Sequence, residues 1–259
     1  MEKLVEMQID KHIGHITLNR PEKLNALSRE LVKEMYSSLD ELLLNKDVKV
    51  IILSGSGKGF CAGGDIESMS KFSSTYEIAE WIEFVSGITR KLMELDLYVI
   101  AAVHGYAAGA GFSLALAADF IVAERKAKFA ISFTNVGLIP DLGLIKLLSK
   151  RVSPPIAKEW ISSGKVVTSE EALSHGIINR ISEEGDVVEE AKRFAEFIIK
   201  GPKLTNKYVK YLLNNVGELH NETAFMQENM IQTMLLQTHD HKEGVKAFFE
   251  KRQPKFEGK

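Results

Sequence analysis

The chain has 259 residues, 45% hydrophobic and 26% charged, with 33 Lys and Arg against 35 Asp and Glu. That length supports a sizeable core, and the composition excludes wholesale disorder. A net charge of −2 gives no global field for nucleic acid or an anionic membrane, and the single cysteine, Cys61, excludes a disulfide framework and a Cys-cluster metal site. The N-terminus, MEKLVEMQID, lacks the apolar core of a signal peptide and the Arg/Ser bias of a transit peptide, so a cytoplasmic chain is expected. Residues 13–18 alternate apolar and polar side chains and read as a strand, closed by Asn19-Arg20-Pro21. Ser28 then N-caps an amphipathic helix with apolar positions 31, 32, 35, 39, 42 and 43. Residues 48–53 (VKVIIL) form a mostly buried strand that runs into the loop SGSGKGFCAGGD.

From Tyr98 to Ala118 there are twenty-one residues without an acidic or basic side chain, long enough to cross a bilayer. His104, the glycines at 105, 109 and 111, and the flanking Asp96 and Asp119 instead indicate a buried strand, a glycine turn and a buried helix. No membrane span is expected. Residues 120–123 form another short strand, and Thr168 with Glu171 makes a capping box before a helix ending at Gly176. After about residue 195 the chain reads as helical, over 205–215, 222–238 and 242–251. Strands with helices between them indicate an α/β fold with a sheet buried under helices. Two regions are expected, 1–195 and a helical region 196–259.

Gly55, Gly57 and Gly59 match neither nucleotide-binding signature and read as a strand-to-helix connection. The run Cys61-Ala62-Gly63-Gly64-Asp65 says more. Its small side chains let a ligand approach bare backbone, and Gly105-Tyr106-Ala107-Ala108-Gly109-Ala110-Gly111 does the same at the start of a helix. Two such loops could converge two main-chain N–H groups on one oxygen, the requirement of an oxyanion hole, with a helix N-terminus adding partial positive charge. Asp141, between Pro140 and LGLIKLLSK, reads locally as a helix N-cap. His239-Asp240-His241 has no third ligand to place beside it, so no metal site is expected. Cys61 reads as a small buried residue.

The ordered set N19-R20-P21…N25-A26-L27, F60-C61-A62-G63-G64-D65, A101–G111, A117-A118-D119, G137-L138-I139-P140, S169–G176 and E243-G244…A247–R252 resembles the crotonase superfamily, the enoyl-CoA hydratase/isomerase group, over nearly the whole chain. The resemblance implies a crotonase-like spiral of ββα units carrying the CoA site, with a C-terminal helical oligomerisation region. It also implies a homotrimer or dimer of trimers, and an acyl-CoA substrate with no permanently bound cofactor. Carried onto this sequence, it implies oxyanion-hole amides at Gly64 and Ala110. CoA contacts would come from Lys23, Ala62, Gly64 and Ile66, and from Phe248 and Lys251 in the tail. Residues 241–259 carry six Lys/Arg against three Glu, a basic segment where the resemblance expects an anionic cofactor.

Hydratases of this superfamily use two glutamates, and the matching positions here are Ser113 and Phe133. Neither side chain does acid–base work at neutral pH. Asp141 matches the position where several isomerases place a single carboxylate. The resemblance therefore implies an enoyl-CoA isomerase, closest in these residues to the phenylacetate-pathway type. That group usually has a second glycine where Leu144 stands, so a bulkier wall against the acyl group is expected here. The alternatives are a hydratase or thioesterase of the same superfamily, and a non-catalytic acyl-CoA-binding paralogue.

Overall fold

A computed structural model describes residues 3–69 and 72–259. The chain opens with an antiparallel pair, β1 (Val5–Asp10) and β2 (Ile13–Leu18), registered from Val5 opposite Leu18 to Asp10 opposite Ile13. Helix α1 (Arg29–Leu44) follows, its Ser28 hydroxyl accepting from the Leu31 amide, and it buries Leu31, Val32, Met35, Leu39 and Leu42. That is the apolar stripe of the sequence except Leu43, which stays exposed.

The next elements repeat one motif. Strand β3 (Val50–Gly55) leads to a bridge at Cys61 and then to helices α2 (Ile66–Met69) and α3 (Thr75–Glu94). Strand β4 (Tyr98–Val103) leads to β5 (Tyr106–Ala108) and α4 (Ala110–Leu116). Strand β6 (Phe120–Glu124) leads to β7 (Lys128–Ala130) and then to α5 (Leu144–Ser149) and α6 (Pro154–Ser163). Strand β8 (Val166–Thr168), α7 (Ser169–Ser174) and β9 (Arg180–Ser182) complete the series. Strands β3, β4 and β6, which open their units, join β1, β2 and β9 in a six-stranded sheet, ordered β1-β2-β3-β4-β6-β9 and parallel beyond β2. The second strands β5 and β7 form a three-stranded sheet with β8, and Cys61 pairs beside it with Ala107. Each unit therefore steps from one sheet to the other, which is the expected spiral of ββα units.

Alternation along the strands divides the core. Ile51, Leu53, Val99, Ala101 and Ile121 join one apolar cluster with residues of α1, α3 and α4. Ile13, Val50, Ile52, Ile100 and Val122 face the other way, onto Val187, Ala191, Ala195 and Ile198 of α8 (Val187–Lys200). Each large aliphatic side chain so buried contributes about 1.5–3 kcal/mol. The expected division after residue 195 thus falls inside α8, and the chain leaves this sheet-packed helix only at Gly201. Beyond it lie α9 (Lys203–Asn215), α10 (Asn221–Leu235) and α11 (His239–Glu250).

The uncharged run 98–118 is divided among β4, β5 and the seven-residue α4, and no described helix is long and apolar enough to cross a membrane. Strand β1 and the twenty-residue α3 were not legible in the sequence pattern. β1 lies at a sheet edge with only Val5 fully buried, so its charged side chains obscure the period.

Candidate active site

The first loop is stitched to its neighbours by main-chain hydrogen bonds on both sides of Gly64. Cys61 N–H donates to Tyr106 O at 3.1 Å and Ala108 N–H to Cys61 O at 2.9 Å. Ala62 N–H donates to Leu24 O at 2.9 Å, Leu27 N–H to Gly63 O at 2.7 Å, and Asp65 N–H to Leu27 O at 3.2 Å. Among the described residues the Gly64 amide itself has no acceptor. Gly63 has φ +105°, and a Cβ there would sit 2.8 Å from Ala108 O and 3.3 Å from Ala110 N. Gly111 is equally constrained, since its Cβ would fall 2.2 Å from Cys61 O. These contacts require bare backbone, and they bring the two glycine loops side by side.

Ala110 is the first residue of α4, so its N–H lacks an intrahelical acceptor, and no other described group takes it. Because α4 spans only seven residues, the local field comes from the amides themselves rather than from a long helix dipole. Phe133 is 8% exposed, with its ring tip 3.8 Å from where a Gly109 Cβ would lie. It packs over the turn that precedes Ala110.

Asp141 does not cap α5. Gly143, at φ 84°, is the N-cap residue and no side chain caps the helix. Leu142 beside it also has a left-handed φ of 51°, so the chain has turned away before the helix begins. One carboxylate oxygen of Asp141, Oδ1, is buried without a hydrogen-bond partner among the described residues. Burial pushes this carboxyl up to about 6, partly opposed by its own main-chain N–H. The Asp141 carbonyl accepts from the Ser113 hydroxyl at 3.0 Å and from Leu144 N–H at 3.1 Å. Ser113 is wholly buried on α4, one turn after Ala110. The three positions singled out in the sequence, 113, 133 and 141, therefore surround the start of one short helix.

Leu144 is fully buried in the main core, and so is not the wall expected from sequence. Leu142, Gly143 and Leu147 instead border a cavity of about 940 Å³ that extends between α3, α5 and α9, past Ser86, Arg90 and Tyr211.

The other expected contacts divide. Ala62 and Ile66 are exposed with Gly64 half-buried between them, so the backbone of this loop faces outward at alternate residues. Lys23 pairs with Glu67 at 2.8 Å, an ion pair exposed to solvent. Phe248 is 78% exposed and lines a second, apolar cavity with Leu235, Leu236, Phe249 and Phe256. Lys251 is the left-handed cap residue of α11. Among the described residues the Lys251 N–H donates to Phe248 O at 3.2 Å, within the tail itself and away from the Gly64 and Ala110 loops. Much of the basic tail is internally paired, with Arg252 on Glu243 and Glu250, and Lys259 on Glu257. Asp240 accepts from the Glu257 and Gly258 amides, which ties the C-terminus back onto α11. Cys61 is fully buried, and desolvation pushes its thiol up to about 12, so it stays protonated.

Sequence reading assigned no role to Asn25, Arg20 or Asp65. Asn25 is fully buried, accepts from Arg20 N–H at 2.8 Å and donates to Ser56 O and Gly59 O. Burial works against ionising Asp65, but hydrogen bonds from Arg20 and Ser68 outweigh it and hold the carboxyl below its ordinary range. The available signal was a polar trio, Asn19, Arg20 and Asn25, beside a loop otherwise made of small residues.

The architecture is that of the crotonase fold. An enoyl-CoA hydratase of Bacillus anthracis superposes with a TM-score of 0.94 at 27% identity, covering 99% of this chain and 100% of that one. The protein YhaR of Bacillus subtilis (strain 168) is 34% identical over 98% of this chain and 99% of its own. A 1,2-epoxyphenylacetyl-CoA isomerase of Escherichia coli (strain K12) is 30% identical, with 100% of both chains covered. The family model described as enoyl-CoA hydratase/isomerase matches residues 8–259. The chain belongs to the enoyl-CoA hydratase/isomerase family of enzymes.

Proposed function

We propose that this enzyme moves the double bond of an enoyl-CoA thioester from C3 to C2, with Asp141 as its single base. The observation that carries this reading is the buried, unpartnered Oδ1 of Asp141, on a loop bonded to the helix that begins at Ala110. In the forward direction the Asp141 carboxylate removes a proton from C2. The electron pair passes to the thioester oxygen, which the Gly64 and Ala110 amides receive as a dienolate. The same carboxyl returns the proton to C4, the pair flows back from oxygen, and the double bond rests between C2 and C3. C2 and C4 are about 2.5 Å apart, so one positioned group serves both steps. A carboxyl near 6 suits both, being largely ionised at neutral pH and basic enough to hold the proton in transit.

Serine at 113 and phenylalanine at 133 favour this chemistry over two-glutamate hydration. Ala62, Gly64, Ile66 and Lys23 would hold the CoA, and the cavity beyond Leu142 would take the distal acyl group. Phe248 and Lys251 would reach CoA in a neighbouring copy of the chain. A homotrimer is supported by apolar side chains exposed on α10 and α11, including Phe225, Met226, Met230 and Phe249. The likeness to a 1,2-epoxyphenylacetyl-CoA isomerase favours a place for the enzyme in aromatic acyl-CoA breakdown.

The test supplies 3-enoyl-CoA and 2-enoyl-CoA separately, follows the ultraviolet absorbance of the conjugated thioester and weighs the products. Isomerisation gives from the first a product of unchanged mass that has gained the conjugated absorbance. A main product heavier by one water would establish the second reading, a hydratase in which Asp141 orients water, as the Bacillus anthracis relative's name would favour. Asp141→Asn should keep the fold and CoA binding while losing double-bond migration. Migration at the wild-type rate in that variant would exclude the single-base mechanism.

A further inference from the structure

The direction of the Gly64 N–H is set by the segment from Arg20 to Leu27. Gly63 O and Gly64 N–H belong to one trans peptide unit, so they point to opposite sides. Leu27 N–H takes Gly63 O at 2.7 Å, which aims the Gly64 N–H away from Leu27. Leu27 N–H in turn shares a peptide unit with Ala26 O, and that oxygen accepts from the Arg20 guanidinium, Nη1, at 3.3 Å. The same Nη1 lies 2.6 Å from Asp65 Oδ2, on the other flank of Gly64. Arg20 thus begins a chain that runs through two consecutive peptide units and ends at the free amide of Gly64. Its second contact clamps the far side of the loop. Both partners are shielded, with side-chain exposures of 17% for Arg20 and 7% for Asp65.

We infer that Arg20, together with Asp65, is the positioning device of the oxyanion site. It orients the Gly64 amide toward the thioester oxygen without touching the substrate. The physical need is clear at Gly63, whose φ of +105° belongs to the glycine-favoured region, where backbone freedom is wide. Without an external tie, the 63–64 peptide plane would be free to rotate and the donor would lose its aim. Hydrogen-bonded peptide units also polarise one another, so a guanidinium at the start of the chain strengthens the N–H at its end. The contribution falls on the enolate rather than on the ground-state thioester, because only the enolate carries full charge on oxygen.

This inference rests on the oxyanion reading of Gly64, and the experiment separates the two. The probe is a 3-ketoacyl-CoA, whose enolate has an ultraviolet band distinct from the keto form, with CoA itself as reference ligand. Wild-type protein should bind the probe as the enolate. Absence of the enolate band with wild type would overturn the oxyanion site and this proposal with it. The key variant is the double substitution Arg20→Gln with Asp65→Asn, which leaves no unpaired buried charge and so protects the fold. It should lower kcat and enolate affinity in parallel by about tenfold to a hundredfold, less than deletion of an oxyanion donor itself. KM and the affinity for CoA should change less than about twofold. Arg20→Lys, which keeps a cationic donor in place of Nη1 with Asp65 unchanged, should retain part of what the double variant loses. Wild-type enolate affinity in the double variant would overturn the proposal while leaving the oxyanion site intact. So would an equal loss of CoA affinity, which would mark Arg20 as structural support of the loop only.

Discussion

Ser113 donates its hydroxyl to the main-chain carbonyl of Asp141 at 3.0 Å, across twenty-eight residues of sequence. A side chain too weakly acidic for proton transfer thereby holds the loop that bears the carboxylate. The contact starts on α4, one turn from Ala110, so the candidate base and one candidate oxyanion donor share a single rigid support.

Replacing Ser113 with alanine removes that tie. Its stability cost should be about 1 kcal/mol, the net value of one buried hydrogen bond. The activity loss should be larger in relative terms, about tenfold in kcat with KM nearly unchanged, because a small displacement of the base costs alignment rather than binding. Steady-state kinetics and urea unfolding of the variant check both. A fall in KM-dependent terms alone would show that Ser113 shapes the acyl pocket instead.

Asp141 predicts a pH dependence with a definite sign. Its folded carboxyl titrates near 6 because burial disfavours the charge, whereas an unfolded Asp titrates near about 4. Activity should rise with pH as the carboxylate forms, with half of it reached near 6. Between about pH 4 and 6 the folded chain binds a proton that the unfolded chain has released, so stability falls as pH rises through this window. Above it the deficit is constant, on the order of 2–3 kcal/mol. Asp141→Asn should therefore be more stable than wild type at pH 7 and equal to it below about pH 4. Urea midpoints measured across that range would show it, and a parallel pair of curves would refute it.

Helix α9 is held to the core by a buried ion pair. Lys210 on α9 is 3% exposed and donates at 2.8 Å to Leu92 O, Leu97 O and Asp119 Oδ2. Lys210→Ala should cost about 3–5 kcal/mol, because Asp119 would keep a buried charge without its cation. Pairing Lys210→Met with Asp119→Asn should recover most of that loss, since the unpaired charge disappears with the partner. Chemical denaturation of the two variants side by side makes the comparison.

Local chemistry made much of the fold legible. The Ser28 cap, the Thr168–Glu171 capping box and the strand Tyr98–Val103 all lie where their residues indicate, because each is set by neighbours a few positions away. Short strands β5, β7, β8 and β9 carry no such signal. At three residues each, they are strands only because another segment pairs with them. Asp141 shows the limit from the other side. Its sequence context is that of a helix cap, yet left-handed turns at Leu142 and Gly143 separate it from the helix.

The sequence alone determined the family, through short motifs in a fixed order, and it determined which side chains are available: a serine and a phenylalanine at 113 and 133, and one aspartate at 141. It also placed glycine at 63 and 111, where neighbouring backbone leaves no room for a Cβ. Tertiary structure alone decided what those groups do to one another. Only folding strips water from Asp141 and leaves Oδ1 without a partner, sets Ser113 on its carbonyl, and strings Arg20, Leu27 and Gly63 into the chain that aims Gly64. The physical reason is that desolvation and hydrogen-bond direction belong to segments brought together in space, and no residue carries them by itself.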